Sequence, residues 1–147
     1  MIRPLKALDY VSAKRLFHNV FSVSEDANFQ AAWRFRDPTA SFGLWERDVL
    51  IGAAIVRGTC LEYIYLDESR RGGGNGTTLL NAVLDRIPAI HLTPVNDPRV
   101  IRWYESQGFR RVSQDGEHTV YLHHAYNLRS HSTLAELERR EKPKPAK

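Results

Sequence analysis

The chain has 147 residues, 42% hydrophobic and 10% aromatic, which fits a single globular domain with its own core and excludes a disordered polymer. The longest apolar run, Val49 to Val56, is broken by Gly52, so no stretch is expected to span a bilayer, and the start MIRPLKALDY lacks the apolar segment of an export signal. Lys and Arg number 21 against 17 Asp and Glu, a net +4, yet residues 126–147 alone hold six basic and three acidic side chains; residues 1–125 keep only +1, which argues against nucleic-acid binding by the fold itself.

Ile2 to Leu5 reads as a short strand, with Pro4 pointing to a sheet edge. Asp9 is placed to cap a helix with Val11, Leu16, Phe17 and Val20 on one side. Residues 22–30 look like a polar break, followed by a short helix around Phe29 to Phe35 that Asp37-Pro38 stops. Ser41–Trp45 and Val49–Val56 flank Glu46-Arg47-Asp48 and read as a β-hairpin, and Leu61–Leu66 is a third strand rich in aromatic and branched residues. Cys60, the one cysteine, rules out an internal disulfide and a thiolate metal cluster. It reads as a small buried hydrophobe in a reducing, cytoplasmic setting, and no structural metal is expected.

The densest glycine cluster follows: Arg70-Arg71-Gly72-Gly73-Gly74-Asn75-Gly76, running into a helix with Leu79, Leu80, Val83, Leu84 and Ile87 on one side. Pro88 ends that helix and Ala89–Thr93 reads as a strand. Asp97 before Pro98 starts another helix, whose apolar side is Val100, Ile101, Trp103 and Tyr104 and which Gly108 stops. Phe109–Val112 and Thr119–Leu122 are strands, joined through a turn at Asp115-Gly116. Thr133 and Glu136 fit a capping box that opens a short helix in a basic tail ending KPKPAK. The order implies one α+β domain over residues 1–125, with a mixed, mostly antiparallel central sheet flanked by helices, and a tail over 126–147.

A strand, a glycine-rich turn and a helix in succession make an anion site, because glycines let successive amides point into one concavity and the helix adds the positive end of its dipole. A Walker-type loop needs Gly-Lys-Ser/Thr, and no lysine occurs between Lys14 and Lys142; a dinucleotide GxGxxG fails at Thr77. What remains is Arg-x-x-Gly-x-Gly at Arg71, Gly74 and Gly76. This resembles the diphosphate loop of the GNAT superfamily, the acyl-CoA-dependent N-acetyltransferases. Asn96 after a strand, then a helix ending Tyr104-Glu105-Ser106-Gln107-Gly108-Phe109, is similar to the family's other signature.

The resemblance implies the GNAT fold, with the strands Leu61–Leu66 and Ala89–Thr93 splayed apart around a cleft, and acetyl-CoA as co-substrate. Carried over by position, Gly72, Gly73, Gly74, Asn75, Gly76 and Thr77 would hold the diphosphate and Arg71 would orient it. Leu66 and Asp67 would offer main-chain groups to the pantetheine arm and the acetyl carbonyl, and Asn96 would contact the arm. Tyr104 would protonate the departing thiolate. Glu62 is the candidate base, because alternation along its strand puts it level with Ile64 and Leu66.

The implied activity is transfer of an acetyl group to a primary amine by direct attack in a ternary complex. The acceptor is an amine-bearing small molecule or peptide, and pairing into a homodimer stays open. Asp67-Glu68, where many relatives carry a proline, motivates an alternative: a catalytically silent CoA-binding or interaction module that uses its basic tail. RNA binding through the glycine loop and tail is a third reading, opposed by the single copy of the Arg-Gly segment.

Overall fold

A computed structural model describes residues 1–18, 23–95, 97–115 and 118–123. Its elements are β1 (Ile2–Pro4), α1 (Tyr10–Phe17), α2 (Val23–Arg34), β2 (Phe42–Glu46), β3 (Val49–Arg57), β4 (Cys60–Leu66), α3 (Asn75–Arg86), β5 (His91–Leu92), α4 (Pro98–Ser106), β6 (Phe109–Asp115) and β7 (His118–His123). They fall into two compact units that divide after Ile87.

In the first unit β1, β2, β3 and β4 pair antiparallel in that order. β3 is the central strand, and every residue from Leu50 to Val56 is buried because both of its faces are covered. Ala53 and Ile55 pack with Phe17, Phe29, Ala32 and Trp33 of α1 and α2, and Tyr63 and Tyr65 of β4 add half-buried rings to the same cluster. On the opposite face Leu79 of α3 and Leu66 of β4 both come against Gly52. The β2–β3 turn has the left-handed backbone at both Arg47 and Asp48, φ 51° and 67°, which matches the twist of a two-residue hairpin. In the second unit β5 and β6 flank β7, both antiparallel to it.

Four expectations change. Asp9 does not cap α1: a 3-10 turn over Ala7–Asp9 precedes that helix, and the Asp9 carboxylate instead accepts from the Lys6 amide at 2.7 Å and pairs with Arg3 at 2.9 Å. The supposed polar break belongs to α2, a continuous helix from Val23 onward, held by Phe29, Ala32 and Trp33 on its buried side. The strand read over Ala89–Thr93 shrinks to His91–Leu92: Pro88 and Ala89 form a turn after α3, and at the other end Pro94 supplies no amide for the ladder. At β4 the register slips: Ile55 pairs with Tyr63 but Val56 pairs with Leu61, so Glu62 is the extra residue of a β-bulge. Leu61 thereby takes the slot on the Ile64 and Leu66 face that simple alternation assigned to Glu62. The turn at Gly116, the helix from Thr133 and the basic tail lie outside the described residues.

Candidate functional site

The glycine cluster follows β4 as the sequence suggests. The Asp67 amide donates to Ile51 O at 2.8 Å, closing the β3–β4 ladder, and a 3-10 turn over Glu68–Arg70 leads away from the strand. Ser69 Oγ donates to the Asp67 carboxylate, and Asn75 Nδ2 donates to Arg70 O at 3.1 Å, tying the start of α3 back to the turn. Gly72 and Gly74 have φ of 87° and 84°, a backbone that glycine alone takes without strain. A Cβ at Gly72, Gly73 or Gly74 would meet nothing within 4 Å, so this stretch opens onto free space.

The amides show what that space suits. The Arg71 amide is spent on Glu68 O, and the next one with an acceptor is that of Thr78, on Gly74 O at 3.0 Å. Among the described residues no backbone acceptor meets the amides of Gly72, Gly73, Gly74, Asn75, Gly76 or Thr77. Those of the first helical turn cannot find an intrahelical partner, and they stand at the positive end of a 12-residue helix. Unpaired amides, a left-handed pair of glycines and open space together fit a phosphate group.

Two arginines flank this cradle. Arg70 pairs with Glu46 of β2 at 2.6 Å. Arg71 folds back along β4: its Nε donates to Leu66 O at 3.0 Å and its guanidinium lies 5.1 Å from the centre of the Tyr65 ring. The main chain at the end of β4 differs from the expectation. The Asp67 amide is turned to Ile51, so it is not offered to a ligand, while the carbonyls of Asp67 and Leu66 each accept one hydrogen bond, from Arg70 and Arg71, and keep a second lone pair. The alternation of an antiparallel ladder turns the N–H and C=O of Leu66, and with them those of Ile64, to the edge of β4 away from β3. Leu66 keeps its candidate role and Ile64 joins it. Finding Ile64 needs the pairing register, which the sequence of a single strand does not carry.

Glu62 stands on the bulge, exposed, and accepts from Cys60 Sγ at 3.5 Å. Burial, with the Glu62 charge beside it, pushes the half-buried Cys60 thiol up to about 11, so Cys60 is a neutral thiol rather than a nucleophile. In the second unit, Pro98 opens α4 and the Asp97 carboxylate caps it, accepting from the Arg99 amide at 2.9 Å. That bond holds the Asp97 carboxyl below its ordinary value. Gly108, at φ 101°, ends the helix and turns the chain into β6. Tyr104, in the last turn of α4, is buried between the edges of Trp103 and Phe109, with ring centres 5.0 Å and 5.4 Å away. Burial pushes its phenol up to about 12. Asn96 lies outside the described residues. Among the described residues no three His, Cys, Asp or Glu side chains gather as metal ligands, and no helix is long and apolar enough to cross a membrane.

Residues 10–130 match the family model described as "Acetyltransferase (GNAT) domain". The chain belongs to the GNAT acetyltransferase family. Comparison with curated protein sequences gives no match. Solved structures share the GNAT fold at low identity. PH1933 from Pyrococcus horikoshii OT3 is 18% identical, with a TM-score of 0.68 over 84% of this chain and 97% of its own. Arabidopsis thaliana Naa50, in complex with the bisubstrate analogue CoA-Ac-MVNAL, is 20% identical, with a TM-score of 0.62 over 83% and 95%. The ribosomal-protein-S18-alanine N-acetyltransferase from Escherichia coli is 21% identical, with a TM-score of 0.61 over 83% and 90%. The matched range includes the glycine loop and the Tyr104–Phe109 segment.

Proposed function

We propose that this GNAT protein is an N-acetyltransferase that moves an acetyl group from acetyl-CoA to a primary amine by direct attack in a ternary complex. The observation that carries the reading is the open cradle of unpaired amides from Gly72 to Thr77. It offers a diphosphate several donors with no strain left to build, and the α3 dipole favours the negative charge. Arg71 supplies a full positive charge beside it. Main-chain groups of Leu66 and Ile64 on the side of β4 away from β3 are the candidates for the pantetheine arm and the acetyl carbonyl, and Asn96 remains the candidate that the resemblance implies for the arm.

Acetyl-CoA brings an activated thioester, so the chain needs neither a side-chain nucleophile nor a metal; it needs to align the two reactants and manage two protons. The amine nitrogen attacks the carbonyl carbon, the C–S bond breaks, and the thiolate takes up a proton as the product amide loses one. A free alkylamine has a pKa of ~10.4, so most of it arrives protonated and must give that proton up first. Glu62 is the candidate acceptor of that proton. Its exposure on the bulge suits a relay through water better than direct contact.

Tyr104 is the candidate donor to the departing thiolate. With its pKa at about 12 it stays protonated across the working range. Full transfer to a thiolate whose acid has a pKa near ~8.5 is uphill, so Tyr104 acts as a hydrogen-bond donor to the developing charge. Naa50 carries a peptide analogue joined to CoA, and the Escherichia coli relative is named for an alanine of a ribosomal protein; both support an amine on a peptide or small molecule as acceptor here. The deciding experiment is an acceptor panel of amines and N-terminal peptides, scored by acetyl-CoA-dependent release of free thiol. At least one acceptor class should release thiol above the hydrolysis background. CoA binding with no release across the panel would reduce the protein to a binding module.

A further inference from the structure

The two adjacent arginines that open the glycine loop have different electrostatic fates. Arg70 is matched by the Glu46 carboxylate, through Nε–Oε1 at 2.9 Å and a second nitrogen at 2.6 Å. Arg71 touches a carbonyl, Leu66 O, and the face of Tyr65, neither of which bears a charge, and among the described residues no carboxylate pairs with it. Its charge is therefore uncompensated at the root of the cradle. The Tyr65 ring that carries it is itself braced: Phe17, fully buried, packs on it at 5.7 Å between centres.

We propose that Tyr65 is the positioning residue of Arg71, a fixed aromatic platform that keeps the loop's one uncompensated guanidinium, among the described residues, in place for the diphosphate of CoA. The inference rests on the CoA-binding reading above and adds a residue that the loop motif does not contain. An unsupported arginine loses several freely rotating bonds when it grips a phosphate; one already held at Nε and over a ring has lost part of that freedom beforehand. The electron-rich ring face attracts the cation without neutralising it, which a carboxylate in the same place would do. Glu46 does just that to Arg70, so the loop keeps one arginine for structure and one for the ligand.

The test is a double-variant cycle on the full chain, read by calorimetric titration with CoA and with dephospho-CoA, which keeps the diphosphate but lacks the ribose phosphate. Tyr65→Met retains apolar volume against Phe17 and removes the aromatic face. It should weaken both ligands about fivefold, as expected for loss of one ring–cation contact, while Tyr65→Phe binds like the parent. In an Arg71→Gln background, Tyr65→Met should change neither affinity further. Tyr65→Leu repeats the test should the methionine variant fail to fold. Equal loss with and without Arg71, or no rescue by phenylalanine, would make Tyr65 a packing residue and overturn the proposal. A loss confined to CoA would assign Arg71 to the ribose phosphate and overturn it too. A parent chain that binds neither ligand would instead refute the CoA-binding function itself.

Discussion

A buried phenol is a poor proton donor to water, yet a good hydrogen-bond donor to a charge that forms beside it, and Tyr104 has the surroundings for the second role. Its ring packs against those of Trp103 and Phe109, and burial moves its pKa from 10.0 to about 12. A hydrogen bond to a forming thiolate in such a place stabilises the transition state by ~1.5–3 kcal/mol. Tyr104→Phe should therefore lower kcat about tenfold to a hundredfold and leave the affinity for CoA nearly unchanged, which steady-state kinetics and titration check together. The same shift sets a stability effect of known sign. A raised folded-state pKa contributes stability that is complete below the unfolded value of 10.0 and is lost as pH climbs through about 12. Comparing urea unfolding at about pH 9 and about pH 11, the parent should lose ~1 kcal/mol more than Tyr104→Phe, because only the parent has a phenol at this position to ionise on unfolding. An unchanged kcat with that alkaline difference intact would leave Tyr104 a core residue and hand the thiolate to water.

At the level of elements, the cradle separates what the backbone needs from what a ligand needs. Gly73 lacks the left-handed φ of its neighbours, and a Cβ there meets nothing within 4 Å. Gly73→Ala should leave the melting temperature of the free protein close to the parent's and weaken CoA, since the methyl would enter the space proposed for the phosphates. Gly58, in the β3–β4 turn, is the complementary control: it is equally open but has φ 63°. Gly58→Ala should cost ~1 kcal/mol of stability through backbone strain and leave CoA affinity alone. Thermal melts with and without CoA distinguish the two. The loop and the α3 and α4 helices were legible because punctuation marks them: glycines, Asp97-Pro98 and Gly108 each act within one or two residues of their own position. The bulge at Glu62 was not, since nothing in Cys-Leu-Glu-Tyr announces it; it exists only in the pairing with β3. The start of α2 is not legible for a related reason: the buried apolar residues among 27–34, Phe29, Ala32 and Trp33, sit late in the helix, and Ser24-Glu25-Asp26 reads as polar.

For the whole molecule, much of the element order is recoverable from hydrophobic period and turn punctuation, whereas the partners of Arg70 and Arg71 depend on contacts across 24 positions for Arg70 and on the side-chain pose of Arg71. Glu46, at the end of a hairpin, was invisible as the counter-charge of a loop that far along the chain. The same long-range ties predict how ligand binding and folding couple. CoA held at Gly72–Thr77, as proposed, would use amides that exist as a cradle only once β4 and α3 have been placed, so the ligand should have little affinity for the unfolded chain. Acetyl-CoA at about a hundred times its dissociation constant should then add ~2.7 kcal/mol to the unfolding free energy, a rise of roughly 5–10 °C in Tm for a chain of this size. Since the proposed site would draw part of that energy from Arg71, which no carboxylate among the described residues pairs with, and from the α3 dipole, the rise should shrink as salt is added. A shift that is absent at every ligand concentration would remove the cradle as a CoA site, whatever the fold. A shift that is present but insensitive to salt would leave binding to the pantetheine arm and the β4 edge, with the glycine loop reduced to a turn.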